Sequence, residues 1–278
     1  MSEVHWTELS AGATAVTAVI SLIALLAVAW QSFLTRSGVD VSQAVLLAGD
    51  RGRLDDRAPE VSVRLEEPTW PLLAWSHLGM PCNPWPGGHD WHFPEREGDR
   101  TVLQAAVVLE NLSGRAIEAR FEGDFAVAAE DNRELRAPSP LIVPARETGG
   151  ADGEVRVFLQ ANFTAKELSE NYEAREQGLP LPHRAVGTIS VRDDRDNGTT
   201  DTWDLSLSGC PIQPHETRGS VWVTVPFHIT EGSGLRSLEY DLLPPRRRTY
   251  WISRRDGIEL PAPTFTVRTN WWRRLLGR

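Results

Sequence analysis

Val186-Gly-Thr-Ile-Ser-Val-Arg192 and Thr200-Asp-Thr-Trp-Asp-Leu-Ser-Leu207, set either side of Asn197-Gly198, decide the fold class. Each arm reads as a strand, and the Asn-Gly dipeptide suits the positive φ of a tight turn, so the pair predicts a β-hairpin. Working outward, the same period of two recurs. Val61, Val63 and Leu65 alternate with Ser62, Arg64 and Glu66, and Pro68 closes that strand. Leu103, Ala105, Val107 and Leu109 line one face of a run that turns at Asn111-Leu-Ser-Gly114 and returns through Ile117, Ala119 and Phe121, which predicts a second hairpin over Val102 to Phe121. Further strands are predicted at 125–129, 140–144 and 154–160, at Val221, Val223 and Val225, and at Phe265 and Val267. Residues 67–99, rich in proline and glycine and carrying Trp75, Trp85 and Trp91, read as a long structured loop. One short helix interrupts the series: Thr164-Ala-Lys-Glu167 has the form of a capping box and opens a helix over 165–176. Many short strands separated by turn residues predict a mainly β chain built as an antiparallel β-sandwich.

The N-terminal region obeys a different rule. Leu9 to Thr35 holds no charged residue, and Ala11 to Trp30 alone is long enough to cross ~30 Å of hydrocarbon at ~1.5 Å per helical residue. Val16, Val19, Ile20, Leu22, Ile23, Leu25, Leu26 and Val28 point all round such a helix, which suits lipid rather than one buried face. The organisation expected is a short tail over 1–10, a transmembrane helix over 11–33, a juxtamembrane connector over 34–57, the sandwich over 58–269 and a basic, aromatic tail over 270–278. Within the connector, Val41 to Leu47 either extends the helix or forms a short one of its own, and Asp50-Arg51-Gly52 breaks it. Ala27-Val28-Ala29 also has the small-x-small form of a signal-peptide cleavage site, but residues 1–10 lack the basic start of a signal peptide, so the helix is expected to be retained.

Leu103-Gln-Ala-Ala-Val-Val-Leu-Glu-Asn-Leu-Ser-Gly114 resembles the strand and Asn-x-x-Gly edge of immunoglobulin-like modules in bacterial surface and membrane proteins. Taken with the span ending Ala-Trp30-Gln-Ser-Phe-Leu-Thr-Arg36, the layout resembles a loose group of uncharacterised actinobacterial single-pass membrane proteins. The resemblance implies an N-terminal transmembrane helix followed by an immunoglobulin-like β-sandwich, and transfers no activity to individual residues.

Charge bears on partners and topology. A formal net charge of −9 argues against nucleic-acid binding, which draws on cationic surface to release phosphate counterions. Basic residues follow the helix (Arg36, Arg51, Arg53, Arg57) and none precede it, which places the folded portion on the cytoplasmic side of a cell membrane. Trp6 and Trp30 bracket the span as interfacial anchors do. At the other end of the chain, Trp271, Trp272, Arg273 and Arg274 have the chemistry of a membrane contact, indole for the headgroup layer and guanidinium for anionic lipid. Ala13, Thr17 and Ser21 form a small-residue stripe suited to weak helix self-association. Cys82 and Cys210 are too few and too far apart for a metal knuckle; they are two thiols if the domain faces the cytoplasm and a candidate disulfide if it is exported.

Several chemistries are set aside. His89-Asp90-Trp91-His92 followed by Glu95 lacks the one-face geometry of a helical zinc motif. Asp193 to Asp204 has Asn197 and Gly198 where a calcium loop wants them, but Arg195 replaces the third ligand, so a hairpin turn is the better reading. Glu66-Glu67 and Asp55-Asp56 read as solvated carboxylates, and no nucleophile elbow, phosphate loop or dinucleotide fingerprint is present. The sequence therefore predicts no enzyme, no cofactor and no metal. It predicts a membrane-anchored binding or scaffolding protein with an unknown protein partner, the alternative being an exported, envelope-facing β-domain used in cell-surface interaction.

Overall fold

The computed structural model describes residues 3–70, 72–75, 81–82, 92–94, 100–128, 135–136, 140–146, 153–193, 198–217, 221–225 and 238–263. These fall into two compact units, one made of Met1–Asp56 with Leu260–Arg278 and the other of Arg57–Glu259.

The first unit is dominated by α1 (Glu3–Asp55), a single helix of 53 residues, ~80 Å long at ~1.5 Å per residue. It passes through the connector without the expected break at Asp50-Arg51-Gly52. A glycine inside a helix costs only about 1 kcal/mol relative to alanine, and Asp50 and Arg53 support that turn as an i,i+3 ion pair at 3.1 Å. From Val16 onward this helix is long and apolar enough to cross a membrane. Its apolar residues are uncovered: Val16, Ile20, Leu22, Ile23, Leu25, Leu26 and Val28 are 58–70% exposed.

The second unit is mainly β. Its strands are β1 (Val61–Leu65), β2 (Leu73–Trp75), β3 (Pro81–Cys82), β4 (His92–Pro94), β5 (Arg100–Asn111), β6 (Ile117–Gly123), β7 (Phe125–Ala128), β8 (Leu135–Arg136), β9 (Leu141–Val143) and β10 (Glu154–Thr164). After α2 (Ala165–Glu176) follow β11 (Arg184–Asp193), β12 (Thr199–Gly209), β13 (Ile212–Pro214), β14 (Val221–Thr224), β15 (Leu238–Tyr240), β16 (Arg246–Ser253) and β17 (Ile258–Glu259). One antiparallel sheet has the order β3-β2-β5-β10-β7-β8, with β1 also on β5. A second has the order β17-β16-β12-β11-β6-β9, with β15 on β12, and a small third sheet joins β13, β14 and β4. Side chains of the two large sheets meet in one core, Leu103, Ala105, Val107 and Leu109 from β5 joining Ile189, Val191, Trp203, Leu205 and Leu207 from β11 and β12. This is the mainly β, sandwich-like architecture that the alternating pattern predicts.

The hairpin partners are present: β11 and β12 pair antiparallel from Val186 opposite Ser206 to Val191 opposite Asp201, and Gly198 has φ +83°, while Asn197 lies outside the described residues. The α2 capping box is also present, with Thr164 N–H donating to Glu167 Oε2 at 2.7 Å and Glu167 N–H donating to Thr164 Oγ1 at 3.2 Å. The second predicted hairpin is not one. β5 and β6 both form, but β5 pairs with β1, β2 and β10, whereas β6 pairs with β11 and β9 in the opposite sheet. The chain from Asn111 to Ile117 is an arch between layers, because Asn111 turns its side chain inward. Its Nδ2 donates to the carbonyls of Arg115 (2.8 Å), Val143 (3.3 Å) and Pro144 (2.8 Å). Its Oδ1 accepts from Ser113 N–H at 3.1 Å and Ser113 Oγ at 2.7 Å. The loop read over 67–99 likewise contains the short strands β2, β3 and β4; its Trp85 and Trp91 lie outside the described residues, as do Phe265 and Val267.

The chain changes layer again at Gly123-Asp124. Gly123 has φ +99°, and a Cβ there would lie 2.5 Å from the carbonyl oxygen of Val186. Asp124 then binds both layers, its N–H donating to Val186 O at 2.8 Å while its own carbonyl accepts from Gln160 N–H at 2.9 Å. Opposite Gly123 sits Gly187, where a Cβ would meet the Phe125 ring at 2.3 Å, so the bare backbone admits that ring to the core.

Candidate functional site

The outer face of the β17-to-β9 sheet follows from strand parity. Ala185, Ile189, Val191, Trp203, Leu205 and Leu207 point inward, so Glu118, Arg192, Thr188, Asp204 and Arg247 point out. They meet as register dictates. Arg192 stands opposite Glu118 and donates to Glu118 Oε2 from Nε at 3.0 Å and from Nη2 at 2.5 Å, while Arg120 Nε reaches Glu118 Oε1 at 2.7 Å. The Arg192 hydrogen bond first, and that of Arg120 second, hold the Glu118 carboxyl below its ordinary pKa. Thr188 Oγ1 donates to Asp204 Oδ1 at 3.0 Å, and Arg247 Nη1 lies 3.1 Å from Asp204 Oδ2. Beside these pairs, Gly187 and Gly123 leave a shallow groove of about 420 Å³ bordered by Glu122, Arg184, Val186, Thr188 and Asp204. Its lining sets the two glycines and Val186 beside charges of both signs, Glu122 and Asp204 against Arg184.

Two buried polar clusters brace the opposite side of these strands. Asp201 is 2% exposed and accepts a bidentate pair from Arg248, Nε to Oδ1 and Nη2 to Oδ2, both at 2.6 Å, with Arg246 Nη1 3.7 Å away. Asn171, fully buried on α2, donates to the carbonyls of His183 (2.7 Å) and Gly209 (3.0 Å) and accepts from His183 N–H at 2.8 Å. Neither was found in the sequence. The first had a legible signal, an aspartate at an inward position of a strand whose other inward residues are Trp203, Leu205 and Leu207, facing the run Arg246-Arg247-Arg248.

The residues singled out in the sequence do not converge. Trp30 is 58% exposed on α1, its ring stacked on Phe33 at 5.9 Å between centroids. Trp271, Trp272, Arg273 and Arg274 lie outside the described residues. Thr17 and Ser21 are exposed on α1, with Ser21 Oγ donating to Thr17 O at 2.8 Å, and the Ala13 side chain is outside the described residues. His92 lies on β4; His89, Asp90 and Glu95 are outside the described residues. Asp204, the last position of the rejected calcium loop, is engaged by Thr188 and Arg247. Among the described residues, no group of three or more His, Cys, Asp or Glu side chains is placed to hold a metal ion. Cys210 is a buried thiol whose Sγ donates to Asn171 O at 3.4 Å, and burial pushes its pKa up, which suppresses the reactive thiolate. The Cys82 side chain is outside the described residues.

Compared with protein-family models, curated proteins and solved structures, the chain matches none.

Proposed function

We propose that this chain is a membrane-anchored, non-catalytic binding or scaffolding protein that presents its β-sandwich to a protein partner at the cytoplasmic surface of a cell membrane. The observation that carries the reading is α1, whose apolar residues from Val16 to Val28 are exposed around the whole helix. Such a surface is stable in hydrocarbon and costly in water. The outer face of the second sheet supports a binding role, since its charges are arranged in pairs beside a groove rather than around a reacting centre. The layout is that of the actinobacterial single-pass proteins it resembles, with the sandwich as the immunoglobulin-like module. Arg36, Arg51, Arg53 and Arg57 on the C-terminal side of the span favour the inner face. Trp271 to Arg274 add a contact with the anionic leaflet, and Ala13, Thr17 and Ser21 permit weak pairing of helices.

The test is made on the full chain in native membranes, with mass spectrometry of the mature N-terminus and a compartment-specific reporter after Arg278. An intact N-terminus, release only by detergent and a reporter active inside the cell are expected. A chain beginning near Trp30 would end the anchor reading. A reporter active only outside would replace the cytoplasmic scaffold by the exported, envelope-facing alternative, in which Cys82 and Cys210 are a candidate disulfide.

A further inference from the structure

One series of residues in α1 recurs at alternating spacings of three and four from Thr17 to Gly52. Inside the span it runs through Thr17, Ile20, Ala24 and Ala27, while the bulkier Leu22, Leu25 and Leu26 fall outside it. Gln31 follows, and beyond it come Leu34, Gly38, Val41, Val45, Ala48 and Gly52. Every member is exposed, Ile20, Leu34, Val41 and Val45 at 50–61%. No member is charged. In heptad terms these are the a and d positions, and Arg36, Asp40, Asp50 and Arg53 take the b, c and f positions that face away from them. The flank is chemically quiet as well. Ser21, Thr35 and Ser42, each one place after a member of the series, donate their hydroxyls back to the carbonyls of Thr17, Gln31 and Gly38 at 2.8, 2.9 and 2.8 Å. A Cβ added at Gly38, Gly49 or Gly52 would meet nothing within 4 Å, so this side of the helix is open, whereas Ala44, on the other flank, is 4% exposed.

A single helix in lipid has no use for a period of 3.5. A straight helix turns every 3.6 residues, so such a stripe drifts ~20° per heptad and stays in contact only with a neighbour that winds around it left-handed. That neighbour is itself a helix, matching the series over ~50 Å at ~1.5 Å per residue. Among the described residues α1 alone has this length, α2 having 12 residues. Charge points the same way: in a parallel pair in register each residue faces its own copy, so a charge on the seam would repel itself, and the seam has none. We infer that two copies of the chain pair in parallel along this seam as a left-handed coil from Thr17 to Gly52. Ala24, Ala27, Gly38, Ala48 and Gly52 let the backbones approach, and Ile20, Leu34, Val41 and Val45 fill the space between them. Gln31, the one amide in the series, meets its copy and fixes the register. Within the span the inference rests on the weak pairing proposed above for Ala13, Thr17 and Ser21; from Leu34 onward it rests on the exposed seam alone.

Single cysteines introduced into the full chain test the pairing, at Val41, Val45 and Ala48 on the seam and at Val39, Gln43 and Leu46 away from it, with the parent and its own Cys82 and Cys210 as the baseline. Under mild oxidation in native membranes, disulfide-linked dimers are expected from the three seam positions at least about fivefold above the other three. Even linking at all six, or none above the parent, would overturn the pairing. Adding Val45→Glu to the Ala48→Cys chain sets a carboxylate against its copy and is expected to lower linking about fivefold, whereas Gln43→Glu, on the far side of the same helix, is expected to leave it unchanged. Equal linking in the two would also overturn the seam. A chain that leaves the membrane without detergent would end the anchor reading by itself, and the seam positions would still link in that soluble chain.

Discussion

Two turns in this chain begin with asparagine and look alike in sequence, and they do opposite things. Either side of Asn197-Gly198, β11 and β12 pair in one sheet. At Asn111-Leu-Ser-Gly114 it leaves one sheet and enters the other. The difference lies in what satisfies the backbone. In the hairpin, Gly198 takes a positive φ and the strands satisfy each other. In the arch, the two N–H groups of one buried carboxamide are shared among three carbonyls from two parts of the chain, so the turn is held by a side chain rather than by a ladder. An asparagine whose side chain is buried, as at Asn111, thus marks an arch rather than a hairpin.

The largest effect that would separate the two is expected from Asn111→Ala. Two N–H donors shared among three carbonyls, one bond buried and two part-buried, are lost, which costs on the order of 2 kcal/mol, read as a lower urea midpoint for the detergent-solubilised chain. A loss under about 0.5 kcal/mol would mean that the arch is held by the packing around it. Gly198→Ala sharpens the other side of the comparison. An L-residue at φ +83° is strained by about 1 kcal/mol, and the hairpin should survive with its pairing intact, as amide exchange in β11 and β12 would report. Loss of that protection would show that the turn, and not the ladder, specifies the hairpin.

The smallest effect concerns Glu118, which follows the arch and clasps Arg192 at the end of the first hairpin strand. Its folded pKa lies below the ordinary value of 4.5. The contribution to stability is therefore complete above that value and is lost as pH falls through the lower folded one. Glu118→Gln should cost up to about 1 kcal/mol at neutral pH, given its part-buried charged hydrogen bonds, and the difference from the parent should shrink in acid. A difference that is constant with pH would show that the carboxylate charge plays no part.

These contrasts explain which parts of the fold were legible. The capping box of α2, the Asn-Gly hairpin and the apolar span each rest on residues within a few positions of one another, and each is found where the pattern placed it. The arch depends on carbonyls at Val143 and Pro144, 32 and 33 residues from Asn111. The Asp201–Arg248 pair spans 47 residues, and the entry of the Phe125 ring over Gly187 depends on two strands that only the tertiary fold brings together. Local periodicity reports which face of a strand is buried, but not which sheet it joins. The helix outruns its sequence reading for a related reason: Asp50-Arg51-Gly52 has the composition of a break, whereas the helix continues to Asp55 with Asp50 paired to Arg53 across that turn.

The hydrogen bond between Arg51 and Leu260 joins residues 209 positions apart. A ribosome adding roughly 5–20 residues per second completes α1 and then needs about 10–40 seconds more before Leu260 exists. During that interval residues 57–259 emerge, and the hydrogen bond from Arg51 to Leu260 is still to be made. The second unit, Arg57–Glu259, is therefore made in full between the two segments of the first, and can fold while that first unit is still incomplete.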